Sequence, residues 1–216
     1  MQSKFSLGAQ LKGILDSKGI ILAVFFGFLL SYFGGINYLI LMLWFFVLAI
    51  IVTRYEYETK KELGLYEHER GWENVFSNGL VPVILAILSP QIGSMPFIAS
   101  IAAITADKFG SEVGVLDKED PISIINFKKV KPGTSGAISK MGTISTLFAG
   151  ALIGVGAIGL FGITPEKAIY ISLIGLSGSF VDTFFGYFEE RGIGTKDTTN
   201  ILCSIAGGIL GIFIGR

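Results

Sequence analysis

The sequence predicts an all-α membrane protein, a polytopic bundle of about seven transmembrane helices, and two observations support this prediction. The 216 residues are 51% hydrophobic, and their mean hydropathy is +0.66. Only 16% of them are charged, whereas soluble domains carry about 25%. Apolar stretches fill most of the chain and leave no room for a separate aqueous core. We therefore expect a single transmembrane domain over residues 19–216.

The segment that precedes this domain, residues 1–18, is predicted to lie at the membrane interface. Leu7, Leu11, Ile14 and Leu15 fall on one helical face with the lysines elsewhere, which is typical of an amphipathic helix on a membrane surface. A frayed tail accounts for the same residues equally well. The apolar run that follows lacks a small-x-small cleavage site and is predicted to be a retained anchor.

Seven apolar runs approach the length of about 20 residues that a membrane-spanning helix requires. They are 19–34, 36–53, 74–89, 93–109, 137–161, 165–187 and 198–215. Glycine or proline occurs at most of the junctions, as expected at helix ends. The predicted polar loops between these helices include 54–73, 110–136 and 188–197.

The positive charges predict how the chain is oriented. Of the 17 Lys and Arg residues, all but Lys167 and Arg216 fall on one side of the membrane when the amino terminus is cytoplasmic. The positive-inside rule predicts this asymmetry. We expect the three long loops to be cytoplasmic in a cell-membrane protein whose carboxyl terminus is outside.

Two aspartates, Asp107 and Asp182, end apolar runs in similar sequences, ITADKFGSE at 104–112 and SFVDTFFGYFEE at 179–190. An aspartate costs about 2.5–3.5 kcal/mol at the bilayer centre on insertion scales, so two at matching helix ends are predicted to be functional. Helices four and five flank the first motif, and helices six and seven flank the second. A parallel internal repeat would bring the aspartates together, although chance matches among abundant Gly, Ala and Phe remain the alternative.

The residue types at these motifs favour a hard cation. Carboxylates bind Mg²⁺, which takes one or two of them together with substrate phosphates, and Asp107, Glu112 and Asp182 supply such a set. One histidine and one cysteine leave no zinc set and no Ser-His-Asp arrangement.

The segment KKVKPGTSGAISK at 128–140 combines four lysines with a glycine-containing turn. Backbone N–H groups in such a turn, and the start of the helix that follows, bind phosphate oxygens in many proteins. The segment lacks the Walker A pattern. Spacing alone leaves a solvated basic loop as an equal alternative.

Polar residues also recur one helical turn apart, as Arg70, Asn74 and Asn78 do on the third helix. Similar stripes on helices five, six and seven contain many glycines, for which close helix packing is the simpler interpretation.

Four segments taken together resemble a known family: RGWENVFSNG at 70–79, ADKFGSEVG at 106–114, VKPGTSG at 130–136 and VDTFFG at 181–186. In this order they resemble the integral membrane family that contains plant phytyl-phosphate kinase, over residues 65–215. The resemblance implies phosphoryl transfer to an isoprenoid monophosphate, which gives the diphosphate. More distant relatives, the phytol and dolichol kinases, use CTP as donor.

This resemblance assigns roles to residues of the chain. Asp107 and Glu112 match the family's A-D-T-x-x-S-E pattern, 132–136 matches its P-G-T-x-G loop, and Asp182 matches its later aspartate. The chain departs from the pattern at Lys108, where the family has Thr, and at Ala137, where a second glycine is common. Lys108 could contact a phosphate or signal a changed choice of donor or acceptor.

The resulting hypothesis is a membrane lipid kinase that uses Mg²⁺ and CTP or another NTP. Its catalytic residues are Asp107, Asp182 and Lys108, and its metal ligands are Asp107, Glu112 and Asp182. The predicted nucleotide-binding residues are Arg70, Asn74, Asn78, Ser111, Lys131, Gly133, Thr134, Ser135, Gly136, Lys140 and Asn200.

The expected partners are a prenyl monophosphate lipid and a nucleotide, without nucleic acid. The prenyl tail is expected between helices, near Phe180, Phe184 and Phe185. A small transporter or lipid carrier and a CDP-lipid synthase are the alternative functions.

Overall fold

The structure, a computed structural model, describes residues 15–65 and 71–215. This part of the chain forms nine α-helices and a two-stranded sheet. The helices are α1 (Ser17–Leu29, continued by a π-helical turn at Leu30–Gly34), α2 (Ile36–Arg54), α3 (Tyr57–Glu62), α4 (Trp72–Ile87), α5 (Ser89–Ile92), α6 (Met95–Gly114), α7 (Lys140–Phe161), α8 (Pro165–Glu189) and α9 (Lys196–Gly215). The strands are β1 (Ile122–Ser123) and β2 (Ala137–Ile138).

Five helices in the described ranges are long and apolar enough to cross a membrane: α1 with its π-helical turn, α2, α7, α8 and α9. Two of the seven predicted spans differ from these. Helix α4 has 16 residues, fewer than a full span, and it begins two residues before the predicted range. Helix α6 has 20 residues, but its last two turns carry Asp107, Lys108 and Glu112, which lower its apolar character.

Helix α6 is the centre of the bundle. It packs against α2, α4, α7, α8 and α9, and its residues are buried without a break from Met95 to Asp107. Much of this stretch consists of alanine and serine, whose small side chains let neighbouring backbones approach closely. The segment predicted as one span among seven is therefore a core helix that other helices surround.

Glycines on the surrounding helices explain how closely they approach one another. A Cβ atom added at Gly207 of α9 would lie 2.7 Å from the Ala99 carbonyl oxygen of α6, and one at Gly150 of α7 would lie 2.9 Å from Ser172 Cα of α8. Gly178 of α8 likewise faces Ala103. The packing interpretation of these deeper glycines is confirmed.

The predicted loop 110–136 is more ordered than the all-α prediction implies. Helix α6 continues to Gly114, and strands β1 and β2 then pair antiparallel, with Ile122 opposite Ile138. Val130 and Pro121 are joined by a backbone hydrogen bond of 2.9 Å. The small sheet folds segment 115–139 into a cover over the ends of the helices.

The ends that carry the acidic motifs meet at this cover, which we call the loop end of the bundle (residues 115–139 and 190–195). The carboxyl ends of α6 and α8 and the amino ends of α7 and α9 lie here. Both predicted motifs thus share one end of the bundle. Which side of the membrane it faces stays a prediction, as does the internal repeat.

Two predictions fall on residues that the structure does not describe. Arg70 lies in the undescribed segment 66–70, and most of the predicted interfacial segment 1–18 precedes residue 15. At its end, Asp16 caps α1 by accepting a 2.6 Å hydrogen bond from the Gly19 N–H.

Candidate functional site

The two aspartates of the matching motifs meet at the loop end. Asp107 of α6 and Asp182 of α8 are 8% and 6% exposed, and both line one cavity, where the charge of Asp182 acts on Asp107. Asp182 Oδ1 is buried and accepts no hydrogen bond within the described part of the chain. Two adjoining buried carboxyl groups repel each other unless a cation or a proton lies between them. This pair, which the sequence predicted to lie together, is the starting point of the candidate site.

The pair opens into a cavity of about 350 Å³ between α6, α7, α8 and the loop end. The walls bring together three of the predicted groups: the first acidic motif, the turn at 133–136 and the second acidic motif. The predicted residues that line it are Asp107, Lys108, Ser111, Glu112, Gly133, Thr134, Ser135, Gly136 and Asp182. Phe180, one of three phenylalanines expected near a lipid tail, also lines it, while Phe184 and Phe185 do not.

One lysine that sequence reasoning did not assign to the site reaches the pair. Lys196, the first residue of α9, lines the cavity, and its Nζ lies 3.7 Å from Asp182 Oδ2. Lys140 holds the equivalent first position of α7 but binds Glu119 on the surface at 2.8 Å. Lys131 does not line the cavity either. The structure therefore does not bring Lys131 and Lys140, which were predicted to bind the nucleotide, to the cavity.

Glu112 takes part in a buried ion network instead of joining the aspartates. Its two carboxylate oxygens lie 2.8 Å from Lys60 Nζ and 2.8 Å from Lys108 Nζ, and Thr53 donates a further hydrogen bond to it. Burial raises the pKa of the Glu112 carboxyl, but the two lysines lower it to about 2, so the glutamate is charged and both its oxygens are already paired. Among residues 15–65 and 71–215, no three His, Cys, Asp or Glu side chains are arranged to hold a metal. The predicted three-carboxylate set is thus reduced to the aspartate pair.

Lys60 is the unexpected member of this network. It comes from α3, inside the predicted loop 54–73, yet it is 1% exposed. Its ammonium group donates to the carbonyl oxygens of Val52 and Thr53 at the end of α2 and to Glu112. Lys60 therefore ties α2 and α3 to α6 one turn from Asp107, and it fixes the carboxylate that Lys108 contacts.

The P-G-T-S-G turn forms one wall of the cavity. Gly136 has φ +80°, and a Cβ atom there would lie 2.6 Å from Tyr187 Cα, so both its backbone conformation and its close approach to α8 require glycine. The Ser135 N–H donates a 2.8 Å hydrogen bond to Glu190 Oε1. A carboxylate oxygen of the protein thus accepts a hydrogen bond from the turn that was predicted to bind phosphate.

The start of α7, the other predicted phosphate contact, is already capped by the protein. Ser139 Oγ accepts from the Gly142 N–H at 3.0 Å, and Asp117 Oδ2 accepts from the Met141 N–H at 2.9 Å. The hydrogen bond from Met141 is the main cause that lowers the pKa of Asp117. The helix start was expected to bind phosphate, but these first N–H groups point at protein acceptors.

Three predicted asparagines lie on the opposite side of Asp107. Asn74, Asn78 and Asn200 line a small space of about 20 Å³ together with Lys196 and Ser111. That volume matches about one water molecule. These asparagines share this space with Asp107 and do not line the larger cavity, so the structure does not place them beside the other predicted nucleotide contacts.

The remaining lining residues include several that sequence reasoning left out of the site. Glu189 lines the cavity and has a buried oxygen, Oε2, with no hydrogen bond in the described ranges. Thr143, Thr146 and Ser179 contribute hydroxyl groups. The signal that could have found them is the one-turn spacing of polar residues on α7 and α8, which extends from the loop end into the helices.

The donor atoms of the aspartate pair fit a hard divalent cation. Both side chains offer oxygen, and one oxygen has no hydrogen-bond partner in the described part of the chain. Two carboxylates plus substrate oxygens are a common Mg²⁺ set. The fit concerns Asp107 and Asp182, because Glu112 is bound by two lysines.

Comparison with known proteins gives the family. Residues 4–208 match the integral membrane protein family DUF92. The chain belongs to this family. A membrane protein of Methanocaldococcus jannaschii is 39% identical over 208 residues, which cover 93% of this chain and 85% of that protein.

Two relatives come from Arabidopsis thaliana. Protein PGR is 26% identical over 80% of this chain and 70% of its own length. The chloroplastic Protein VTE6 is 24% identical over 93% of this chain and 65% of its own length. No solved structure matches the chain.

Proposed function

We propose that this DUF92 protein is a membrane lipid kinase that transfers a phosphoryl group from a nucleoside triphosphate, CTP in the first instance, to an isoprenoid monophosphate. The observation that carries the proposal is the meeting of Asp107 and Asp182 at the base of a cavity walled by the P-G-T-S-G turn. The resemblance to the family that contains plant phytyl-phosphate kinase supports the choice of reaction.

The residues suit phosphoryl transfer because this reaction depends on positioning and on neutralising charge. An oxygen of the lipid phosphate would attack the γ-phosphorus of the nucleotide, the bond from that phosphorus to the bridging oxygen would break, and the nucleoside diphosphate would leave. The lipid phosphate is already ionised, so no general base is required. Mg²⁺ held by Asp107 and Asp182 would shield the phosphate oxygens.

The chain's own cations complete the charge arrangement. Lys196 lies beside Asp182 and Lys108 follows Asp107, and both line the cavity. Lys108 is held by Glu112, so its position is fixed before substrate binds. On the opposite wall, the N–H groups of the turn at 133–136 other than those of Thr134 and Ser135, which donate to Lys131 and Glu190, would bind phosphate oxygens.

The direct test is an assay of purified protein in detergent with Mg²⁺, geranylgeranyl phosphate and CTP labelled at the γ position. Label in the lipid diphosphate supports the kinase. A parallel reaction with α-labelled CTP separates the alternatives, because label from the α-phosphate in the lipid indicates a nucleotidyltransferase. Absence of transfer from any of the common nucleoside triphosphates to any prenyl monophosphate contradicts the kinase and favours a carrier.

A further inference from the structure

The cavity extends past the aspartate pair into the middle of the bundle. Leu176 and Phe180 of α8 line it, and Leu176 precedes Asp182 by six residues, about 9 Å along a helix axis at 1.5 Å per residue. Helix α8 spans Pro165–Glu189, so Leu176 stands near its midpoint. A site for water-soluble substrates alone has no need of this depth.

Helices α7 and α8 diverge to create this depth. Far from the loop end they are in close contact, Gly154 against Ala168 and Gly150 against Ser172. Toward the loop end the facing positions, Thr143 and Thr146 on α7 and Leu176 and Phe180 on α8, line empty space.

Helix α6 closes the back of the gap between α7 and α8. A Cβ atom at Gly110 of α6 would meet Thr146 at 2.7 Å and Ser179 at 3.4 Å. The gap is therefore blocked on the inner side, and its open side is the outer surface of the bundle.

That outer surface is apolar and belongs to two helices that can cross a membrane. Phe180 lines the cavity and is also 40% exposed. Ile144 and Phe148 of α7 and Phe184 of α8 are exposed on the outer surface of the same two helices. In a bilayer, these side chains contact lipid chains.

We infer that the gap between α7 and α8 is a lateral port for the apolar chain of a membrane lipid whose phosphate head reaches Asp182 and Lys196. This inference rests on the proposed function for the identity of the head group. The volume supports it: about 350 Å³ is near the lower limit of about 300 Å³ for ligand pockets. A nucleotide's phosphates and a lipid head group take up most of such a space, so the chain must leave it through the gap between α7 and α8. Leu176 and Phe180 are then the residues that select chain length and shape.

Two pairs of matched residues on α8 test the port. In the first pair, Leu176 lines the cavity, whereas Leu173 lies on the exposed surface and does not line it. In the second pair, Phe180 lines the cavity, whereas Phe184, which is similarly exposed, does not line it. We expect Leu176→Trp to lower the ratio of kcat/KM for geranylgeranyl phosphate to that for dimethylallyl phosphate by about tenfold, since a blocked gap excludes the long chain selectively. Leu173→Trp leaves this ratio unchanged. Equal ratios in the two variants overturn the port.

A second measurement does not depend on turnover. Wild-type protein in lipid nanodiscs is photolabelled with a geranylgeranyl monophosphate that carries a diazirine on its chain, and the labelled residues are mapped by mass spectrometry. Labelling of Phe180 and Leu176 above Phe184 and Leu173, removed by excess unlabelled geranylgeranyl phosphate, supports the port. Uniform labelling of lipid-facing residues contradicts it. A protein that is labelled at Phe180 but transfers no phosphate contradicts the kinase and retains the port.

Discussion

Helices α6 and α8 carry the same Asp-x-Phe element, at 107–109 and 182–184, in different surroundings. Helix α6 is enclosed, with buried residues in an unbroken series from Met95 to Asp107. Helix α8 buries one face only, with positions such as Ile171, Gly178 and Asp182 alternating with exposed ones. The site lies where a core helix meets a helix that faces the membrane.

The two helices therefore contribute differently to the candidate site. Helix α6 is tied to α2 and α3, because Glu112, five residues beyond Asp107, binds Lys60. Helix α8 provides Asp182, whose Oδ1 has no hydrogen-bond partner among residues 15–65 and 71–215, and it carries the partly exposed Phe180 two residues earlier. One aspartate on an enclosed helix and one on a helix that faces the membrane suit a reaction between a water-soluble donor and a membrane acceptor.

Removing either aspartate's charge should have the largest effect. We expect Asp107→Asn and Asp182→Asn each to lower kcat about a thousandfold, the loss seen when a group that stabilises transition-state charge is removed. Turnover of γ-labelled CTP measures the loss, and gel filtration in detergent checks folding. Glu119→Gln, which removes an exposed loop carboxylate, serves as control. Wild-type turnover in either aspartate variant removes that residue from the site.

Breaking the network that holds α6 should cost stability. Lys60→Met leaves Glu112 with one fewer buried cation, and loss of one partner of a buried ion pair costs about 3 kcal/mol. Cys203 is the only cysteine and is buried, so thermal unfolding in detergent can be followed with a thiol-reactive fluorophore. Lys61→Met, at the neighbouring exposed position, should melt like the wild type. Equal melting of the two variants would show that the buried pair contributes nothing.

One large side chain between α8 and α6 should disrupt their close packing and lower the free energy of unfolding. Gly178→Leu places a side chain against Ala103, and overpacking of this kind costs about 2 kcal/mol. A Cβ atom at Gly159 of α7 meets nothing within 4 Å, so Gly159→Leu is a matched control. The same thiol-reactive unfolding assay compares them. If both variants melt alike, Gly178 does not set the separation of the two helices.

The smallest effect is expected from changes at Lys196 and Lys140. Each is the first residue of the helix that follows one of the two acidic motifs. Lys196→Ala removes a cation near Asp182 and should raise the nucleotide KM or lower kcat by about tenfold. Lys140→Ala should change neither by more than about twofold, because its exposed pairing with Glu119 contributes little. Steady-state kinetics with CTP measure both variants. A larger loss at Lys140 than at Lys196 would reverse this assignment.

The helices and the aspartate pair were predictable because each depends on local sequence. The ends of α2 and α8 were predicted within two residues of their observed positions, because long apolar runs there are bounded by glycine or proline. Asp107 and Asp182 could be paired because their flanking sequences match. The core position of α6 was also visible in principle, since a run rich in Ala and Ser suits helix contacts better than lipid contacts.

The rest of the site depends on the direction of side chains, which the sequence does not specify. Lys140 and Lys196 occupy equivalent helix starts, yet one turns to Glu119 and the other to Asp182. The sequence made Glu112 a reasonable third metal ligand, because the segment that contains Lys60 resembles a solvated loop. In the structure Lys60 is buried and pairs with Glu112. Tertiary packing decided both outcomes.

The central claim is that Asp107 and Asp182 together hold one divalent cation. Titration of the purified protein with Mn²⁺, followed by electron paramagnetic resonance without nucleotide or lipid, tests this most directly. We predict one bound Mn²⁺ per chain in the wild type and its loss in both Asp107→Asn and Asp182→Asn. Mn²⁺ bound with wild-type affinity by both variants would contradict the claim.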